Sequence, residues 1–107
     1  MRKAKVLFRN EEAGELVQLD DGSFTFTYSD LWISDSSKPP ISLTLSKTKK
    51  LHISEYLFPF FYNMLPEGAN KNAVCRQKRI DPNDYFGLLM AVAETDSIGA
   101  VQVIKLV

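Results

Sequence analysis

Hydrophobic and polar side chains alternate over residues 3–10, and this two-residue period predicts a β-strand with one buried and one wet face. Ala4, Val6 and Phe8 fall on the predicted buried face, whereas lysine and arginine occupy most of the other face. The stretch "EEAG" (11–14) is predicted to be the turn that follows this strand.

Two further strands are predicted at "ELVQL" (15–19) and "SFTFTYS" (23–29). The stretch "DDG" (20–22) between them predicts a tight hairpin, because glycine readily adopts the positive φ angles of such turns. The alternation is clearest in the third strand, whose buried face is predicted to carry Phe24, Phe26 and Tyr28.

The stretch 30–40 is predicted to be an irregular connection in which Trp32 anchors the core or its rim. It ends in two prolines, which cannot donate to a strand ladder, so a fourth strand is predicted to begin after them at "ISLTLS" (41–46). Ile41, Leu43 and Leu45 would face inward there. The basic stretch "KTKKLH" (47–52) is predicted to be an exposed link.

The spacing of apolar residues becomes helical from Ser54 to Leu65, with Pro59 in the first turn. The predicted apolar arc is about 200° wide, which exceeds what one face of a small sheet covers. The central stripe is Leu57, Phe60, Phe61 and Met64, and Phe58, Tyr62 and Leu65 widen it. Either this helix is sandwiched between the sheet and a neighbouring helix, or part of it faces another protein. For Phe58 and Tyr62 we expect the second arrangement. Pro66 ends this helix, and Gly68 lets the chain turn.

Two more helices and a closing strand are predicted. The first covers 69–79, with Asn70 as a candidate cap, and the second covers 80–94. In the second, Asp81 suits the N-cap, Pro82 the first helical position and Asp84 the first turn. Its predicted inward stripe is Tyr85, Leu88, Leu89, Val92 and Ala93. The chain breaks at 95–99 and ends in a strand at 100–107.

These elements predict a single α+β domain over residues 1–107. It would contain a small, mostly antiparallel sheet or partial barrel of about five strands, with about three helices packed on one side. Thirteen basic and thirteen acidic residues cancel, and no apolar run reaches membrane-spanning or signal-peptide length. The single cysteine forms no internal disulfide, so a cytoplasmic protein is predicted.

No constellation of residues points to catalysis. The chain has no glycine-rich phosphate loop, and "DYFG" (84–87) lies in a helical pattern that does not suit a magnesium motif. His52 and Cys75 are the only histidine and cysteine, and nothing places them together. The carboxylates have turn or capping roles, so no metal site or cofactor is predicted. We therefore predict that the protein is not an enzyme.

Several stretches together resemble the N-terminal subdomain of HipA-like kinases. "FPFFYNMLPEG" is similar to a family segment of the form F-F-x-N-L-L-P-E-G. "GSFTFTYSDLWI", "PPISLTLS", "DPNDYFGLLMAVA" and "SIGAVQV" are similar to further blocks, in the family order and over about nine tenths of the chain. Gly87 stands where the family more often has alanine, and Met64 where leucine is usual.

HipA-like kinases continue beyond this subdomain, whereas the present sequence stops at Val107. It therefore resembles the HipS group of tripartite toxin–antitoxin systems, a stand-alone version of the subdomain. Such proteins bind and neutralise a HipT-like kinase toxin, and a HipB-like helix-turn-helix protein joins the complex and binds DNA. Partner-binding residues expected on this basis are Phe58, Tyr62, Pro66, Glu67 and Gly68.

Two alternatives stay open from the sequence. The chain could be the N-terminal regulatory subdomain excised from a full-length HipA-type kinase. It could also be a small nucleic-acid-binding module that uses two basic clusters, although a net charge of zero gives little electrostatic drive toward nucleic acid. The first cluster is Lys47, Lys49 and Lys50, and the second is Arg76, Lys78 and Arg79.

Overall fold

The computed structural model describes residues 1–93 and 100–106, which contain an open five-stranded antiparallel sheet and four helices. The strands are β1 (Arg2–Phe8), β2 (Glu11–Gln18), β3 (Phe24–Tyr28), β4 (Leu51–Ser54) and β5 (Val101–Lys105), in the spatial order β4-β3-β2-β1-β5. The helices are α1 (Asp30–Ser34), α2 (Pro59–Tyr62), α3 (Gly68–Lys78) and α4 (Tyr85–Ala93). The predicted α+β class is confirmed, and the sheet is open rather than a partial barrel.

The core lies on one face of the sheet. Val6, Leu16 and Phe26 lie on this face of β1, β2 and β3 and are fully buried. Three helices cover them with buried side chains, which are Trp32 from α1, Phe61 from α2, and Phe86, Leu89 and Met90 from α4. Helix α3 has no buried residue and packs against α4. Trp32 is thus a core residue, which is one of the two positions predicted for it, the core or its rim.

The first hairpin turns two residues earlier than predicted. Arg9 and Asn10 have φ angles of 50° and 68°, as a two-residue turn with both residues left-handed requires. Strand β2 therefore begins at Glu11, and the predicted turn at 11–14 is wrong. The pairing shifts after Val6, which leaves Ala13 as the extra residue of a bulge. The second hairpin is confirmed, with Gly22 at a φ of 91°.

The predicted strand at 41–46 is wrong, because these residues form turns. Ile41 and Leu45 are buried as predicted, but Leu43 is 97% exposed. The hydroxyl of Tyr28 fixes the segment by donating to the carbonyl of Leu45 and accepting from the N–H of Ile41 at 3.1 Å. The fourth strand is β4 instead, so the predicted link at 47–52 ends inside the sheet.

Helix α4 begins one turn later than predicted, and the cap is Asp84. Its carboxylate accepts the N–H of Gly87 at 3.0 Å, whereas Asp81 accepts the N–H of Asn83 in the preceding turn. Burial also extends beyond the predicted stripe, because Phe86, Gly87 and Met90 are buried together with Leu88 and Leu89. The predicted helix end at Glu94, the break at 95–99 and Val107 lie outside the described residues.

Asp84 also links the start of α4 to β1. The guanidinium of Arg2 lies 2.7 Å from its carboxylate and 4.8 Å from the ring centroid of Phe86. Burial alone would raise the pKa of the Asp84 carboxyl, but the hydrogen bonds from Arg2 and from the Gly87 N–H, with the charge of Arg2, lower it below the ordinary 3.8.

This lowered pKa predicts a loss of stability in acid. Because the native state holds the Asp84 proton less tightly than the unfolded chain does, the stabilisation is present above the ordinary pKa and disappears as pH falls through the lowered one. We expect the free energy of unfolding to decline below about pH 5 and Asp84→Asn to decline less. Urea titrations across this pH range measure both. Asp81→Asn is the control, and equal acid slopes for Asp84→Asn and the parent would contradict the expectation.

Candidate partner-binding surface

Helix α2 is short, and its length decides which aromatic residues reach the surface. Pro59 occupies its first position, so Phe58 is the N-cap residue with the extended angles φ −56° and ψ 140°. This conformation directs Phe58 into the core, where it is 6% exposed and its ring centroid lies 6.5 Å from that of Phe61. The expectation that Phe58 faces outward is therefore wrong.

Tyr62 lies at the surface, as expected. It is 49% exposed, and its ring meets the ring of Tyr85 edge to face, with centroids 5.7 Å apart. The ammonium of Lys71 lies 5.7 Å from the centroid of the Tyr85 ring. This arrangement joins α2, α3 and α4 and supports Tyr62 from one side, which leaves much of its ring for contact with another molecule. Its role as a partner-binding residue stays a prediction.

The Pro66–Gly68 turn ends the connection between α2 and α3, and Gly68 is the first residue of α3. Pro66 is half-buried, whereas Glu67 and Gly68 are exposed. Glu67 is the N-cap residue of α3, but its side chain makes no capping hydrogen bond. Gly68 has a φ of 55° and open space around its α-carbon, so the turn needs glycine for its backbone conformation and not for lack of room. The turn therefore presents a carboxylate to solvent.

A shallow groove of about 440 Å³ borders this turn, between α3 and α4. Its lining is mostly apolar and includes two amide groups and one ammonium group. The apolar lining residues are Met64, Pro66, Ala73, Val74, Ala91 and Val92, and the polar lining residues are Asn70, Gln77 and Lys78. An apolar side chain of a partner would fit such a groove. Tyr62, the Pro66–Gly68 turn and this groove form what we call the α2–α3 surface.

The predicted turn residues lie next to the groove, but the groove itself was not predicted. Its walls come from α3 and α4, which are separate in the sequence and meet only in the fold. The available signal was the pair Ala73 and Val74, the apolar positions near the middle of the otherwise polar helix α3. Tyr85, which is predicted to face inward, is half-buried, packs against the core and also supports Tyr62.

His52 and Cys75 lie on different elements, β4 and α3. The Nε2 atom of His52 lies 2.8 Å from the carbonyl oxygen of Ser46, and Cys75 is half-buried. Within residues 1–93 and 100–106, no three His, Cys, Asp or Glu side chains are grouped as metal ligands. In the same residues, no helix is long and apolar enough to cross a membrane.

The first basic cluster is partly occupied by contacts within the chain. The ammonium of Lys47 donates to the carbonyl oxygens of Asp35 and Lys38, at 2.7 and 2.6 Å. The ammonium of Lys50 pairs with the carboxylate of Asp30. Lys47 therefore holds the irregular segment after α1, a structural role that charge spacing alone could not reveal.

Comparison with known proteins agrees with the fold. A family model described as the HipA N-terminal domain matches residues 4–104. A solved structure described as the N-terminal domain of HipA toxin superimposes with a TM-score of 0.72 and 28% identity, over 100% of this chain and 94% of that one. An uncharacterised protein of Haemophilus influenzae is 33% identical over 103 residues, which make up 96% of this chain and 92% of that protein.

Longer relatives contain the same region as a part. The candidate kinases Y4dM and Y4mE of Sinorhizobium fredii are 31% and 27% identical over 99 and 104 residues. The matched region covers 87% and 97% of this chain. The chain spans only 24% of the length of either of those two relatives.

Proposed function

Since the chain belongs to the HipA N-terminal domain family, we propose that it is an antitoxin that binds a HipT-like serine/threonine kinase and neutralises it by protein–protein contact. The observation that carries the proposal is the α2–α3 surface, which contains an exposed tyrosine, an exposed carboxylate and a mostly apolar groove. Tyrosine is favoured at interfaces because a large apolar body carries a polar tip.

The Haemophilus relative supports action on a separate kinase. Its matched residues make up 92% of that protein, so a member of this family exists that consists almost wholly of this domain. Such a domain would act on a kinase by binding to it. We place the complex in the cytoplasm and include a HipB-like helix-turn-helix protein as its DNA-binding partner.

The mechanism proposed is restraint of the kinase by docking. Tyr62 and Pro66 would insert their apolar surfaces, and Glu67 would pair with a basic residue of the kinase. Gly68 would keep the turn in its left-handed shape. Phe58 is too buried to serve as an anchor, so its part is to hold α2 in place from within. No cofactor and no catalytic residue of this chain enters the mechanism.

A second candidate is favoured by the longer relatives. The region forms about a quarter of the candidate kinases Y4dM and Y4mE, so it could act as the N-terminal regulatory part of a longer kinase. The α2–α3 surface would then contact the remainder of the same polypeptide. Both candidates use the same contacts, and they differ in whether the kinase is a separate chain.

Binding to a HipA-type kinase that lacks its own N-terminal domain tests the proposal. We expect Tyr62→Ala to weaken binding about thirtyfold. This corresponds to a loss of roughly 2 kcal/mol of binding free energy, which is typical when an important interface tyrosine is truncated. Glu67→Lys should weaken it further by placing like charges together. Isothermal titration calorimetry measures the affinity, and kinase autophosphorylation measures neutralisation.

Tyr56→Ala is the matched control for this test. Tyr56 is 75% exposed and precedes α2, so its truncation removes the same chemical group outside the proposed surface. It should leave the affinity unchanged. Parent-like affinity in both Tyr62→Ala and Glu67→Lys would remove the α2–α3 surface from the proposal, and absence of any binding by the parent would remove the antitoxin function.

A further inference from the structure

Strand β4 lies at the edge of the sheet, and its hydrogen-bonding pattern shows which of its groups point outward. The N–H of Tyr28 donates to the carbonyl of Lys50 at 2.9 Å, in line with the β3–β4 register. Hydrogen-bonded and non-hydrogen-bonded pairs alternate in an antiparallel ladder. His52 and Ser54 therefore bond to β3, and the backbone groups of Leu51 and Ile53 point away from the sheet.

The outer edge of β4 carries exposed apolar side chains, whereas most edge strands are protected against pairing with another chain. Leu51 is 48% exposed and Ile53 is 70% exposed, both on the sheet face opposite the core. Among the described residues, no strand pairs with the outer edge of β4. Exposed edges of this kind pair readily with another strand, and many proteins blunt them with charge or proline.

We propose that the β4 edge pairs with the β4 edge of a second copy of this chain, antiparallel and about a two-fold axis at His52. In this register Leu51 lies opposite Ile53 of the second copy, and Ile53 opposite its Leu51. Two cross-strand pairs of aliphatic side chains then cover each other, and the outward backbone groups of both strands are satisfied. The sheets of the two copies would join into one sheet of ten strands.

The charges that flank β4 favour the same register. Lys49 and Glu55 are both exposed. Lys49 lies two residues before Leu51, and Glu55 lies two residues after Ile53. A two-fold axis at His52 places Lys49 opposite Glu55 of the second copy, at both ends of the interface. A shift by two residues would instead place Lys49 opposite Ile53, or Leu51 opposite Glu55. All of these registers are two-fold symmetric, but only the axis at His52 pairs aliphatic with aliphatic and charge with opposite charge.

The short length of β4 predicts weak association. Strand β4 has only four residues, so the contact belongs with the small, transient interfaces and not with obligate dimers. The proposal stands independently of the antitoxin function, because it uses the sheet edge and not the α2–α3 surface. A pair of copies would carry two α2–α3 surfaces.

Sedimentation velocity over a wide concentration range tests the dimer. We expect the parent to shift toward dimer as its concentration rises, and Ile53→Lys to abolish the shift. Leu43→Lys is the matched control, because it removes an aliphatic side chain that is 97% exposed in the irregular segment before β4, and it should dimerise like the parent. A parent that stays monomeric throughout, or an Ile53→Lys variant that dimerises normally, would overturn the proposal.

A charge exchange tests the register without touching the strand. Lys49→Glu and Glu55→Lys should each weaken association about tenfold, because like charges then oppose each other at both ends. The double variant should restore it. If the double variant is as weak as the single ones, the register is wrong.

Cysteine cross-linking gives a second measure of the register, in a Cys75→Ser background. Residues of a hydrogen-bonded antiparallel pair have α-carbons about 5.5 Å apart, a separation that a disulfide spans. A mixture of Leu51→Cys and Ile53→Cys chains should form mixed dimers on oxidation, and either variant alone should form few. If the kinase of the proposed function binds this edge instead, the parent stays monomeric and Ile53→Lys loses kinase affinity, which would reject the dimer and leave the antitoxin function standing.

Discussion

Replacement of Phe61 by alanine is expected to lower the free energy of unfolding by about 3–5 kcal/mol, the range for phenylalanine truncated in a core. Phe61 is fully buried. Its ring centroid lies 6.0 Å from that of Phe26 on β3 and 5.3 Å from that of Phe60. Truncation would open a cavity between the sheet and α2 that neighbouring aromatic rings cannot fill without leaving their rotamers. Urea unfolding followed by circular dichroism measures the loss.

Two variants define the scale of this effect. Tyr62→Ala changes the adjacent residue, which is 49% exposed, and should lower stability far less. Phe61→Leu keeps most of the buried volume and should fall between Phe61→Ala and the parent. A loss below about 0.5 kcal/mol for Phe61→Ala, within the range of surface substitutions, would contradict the central position of this ring in the core.

The same residue connects stability with the proposed surface. Helix α2 has four residues, far fewer than the ~12 that an isolated helix needs for marginal stability, so tertiary packing must hold it. Phe61 supplies much of that packing, and Tyr62 is its neighbour in the helix. Phe61→Ala should therefore weaken kinase binding even where the domain stays folded, whereas Tyr62→Ala should weaken it without a matching loss of stability.

Alternation predicted β1 and β3 well because both strands have one face in the core and one in solvent. The buried face of β3 carries Phe24, Phe26 and Tyr28, as the two-residue period requires. For such strands the alternation shows which residues are buried, because a shift of the strand register by one residue would expose every apolar side chain.

The same rule failed at 41–46, where apolar and polar residues alternate regularly but the chain forms turns instead of a strand. The hydroxyl of Tyr28 bonds to backbone groups of Ile41 and Leu45, and serine and threonine side chains bond to nearby backbone, as Ser42 does to the N–H of Thr44 at 3.3 Å. These local bonds compete with a strand ladder. The partner that decides the outcome is remote in sequence, so the pattern of the segment alone could not show it.

The outcome for Phe58 and Tyr62 depended on where α2 begins. Residues four apart share a helix face, and the prediction assumed a helix through both. Because the helix starts at Pro59, Phe58 is extended and turns inward while Tyr62 stays at the surface. Helix boundaries are set by capping geometry and by what precedes the helix, here the end of β4 at Ser54, which the sequence assigned to the helix itself.

Gly14→Ala is the second substitution for which we expect a large loss, about 3 kcal/mol, at the upper end of overpacking effects. A β-carbon on Gly14 would lie 2.4 Å from the carbonyl oxygen of Thr27 and 2.7 Å from the ring of Phe26. The carbonyl belongs to β3, which is held between β2 and β4, so it cannot retreat without breaking a ladder. At this chain length the melting temperature should fall by more than about 10 °C, as differential scanning calorimetry would measure.

Gly22→Ala separates this crowding from the general effect of replacing a glycine. Gly22 lies in the β2–β3 turn with a φ of 91°, and no atom lies within 4 Å of the β-carbon that alanine would add. The loss of unfolding free energy in Gly22→Ala should come from backbone strain alone and be on the order of 1 kcal/mol. Equal losses for the two variants would mean that β3 yields to the new methyl group. A larger loss for Gly14→Ala would mean that the close approach of β2 to β3 is a fixed part of the sheet that carries the core.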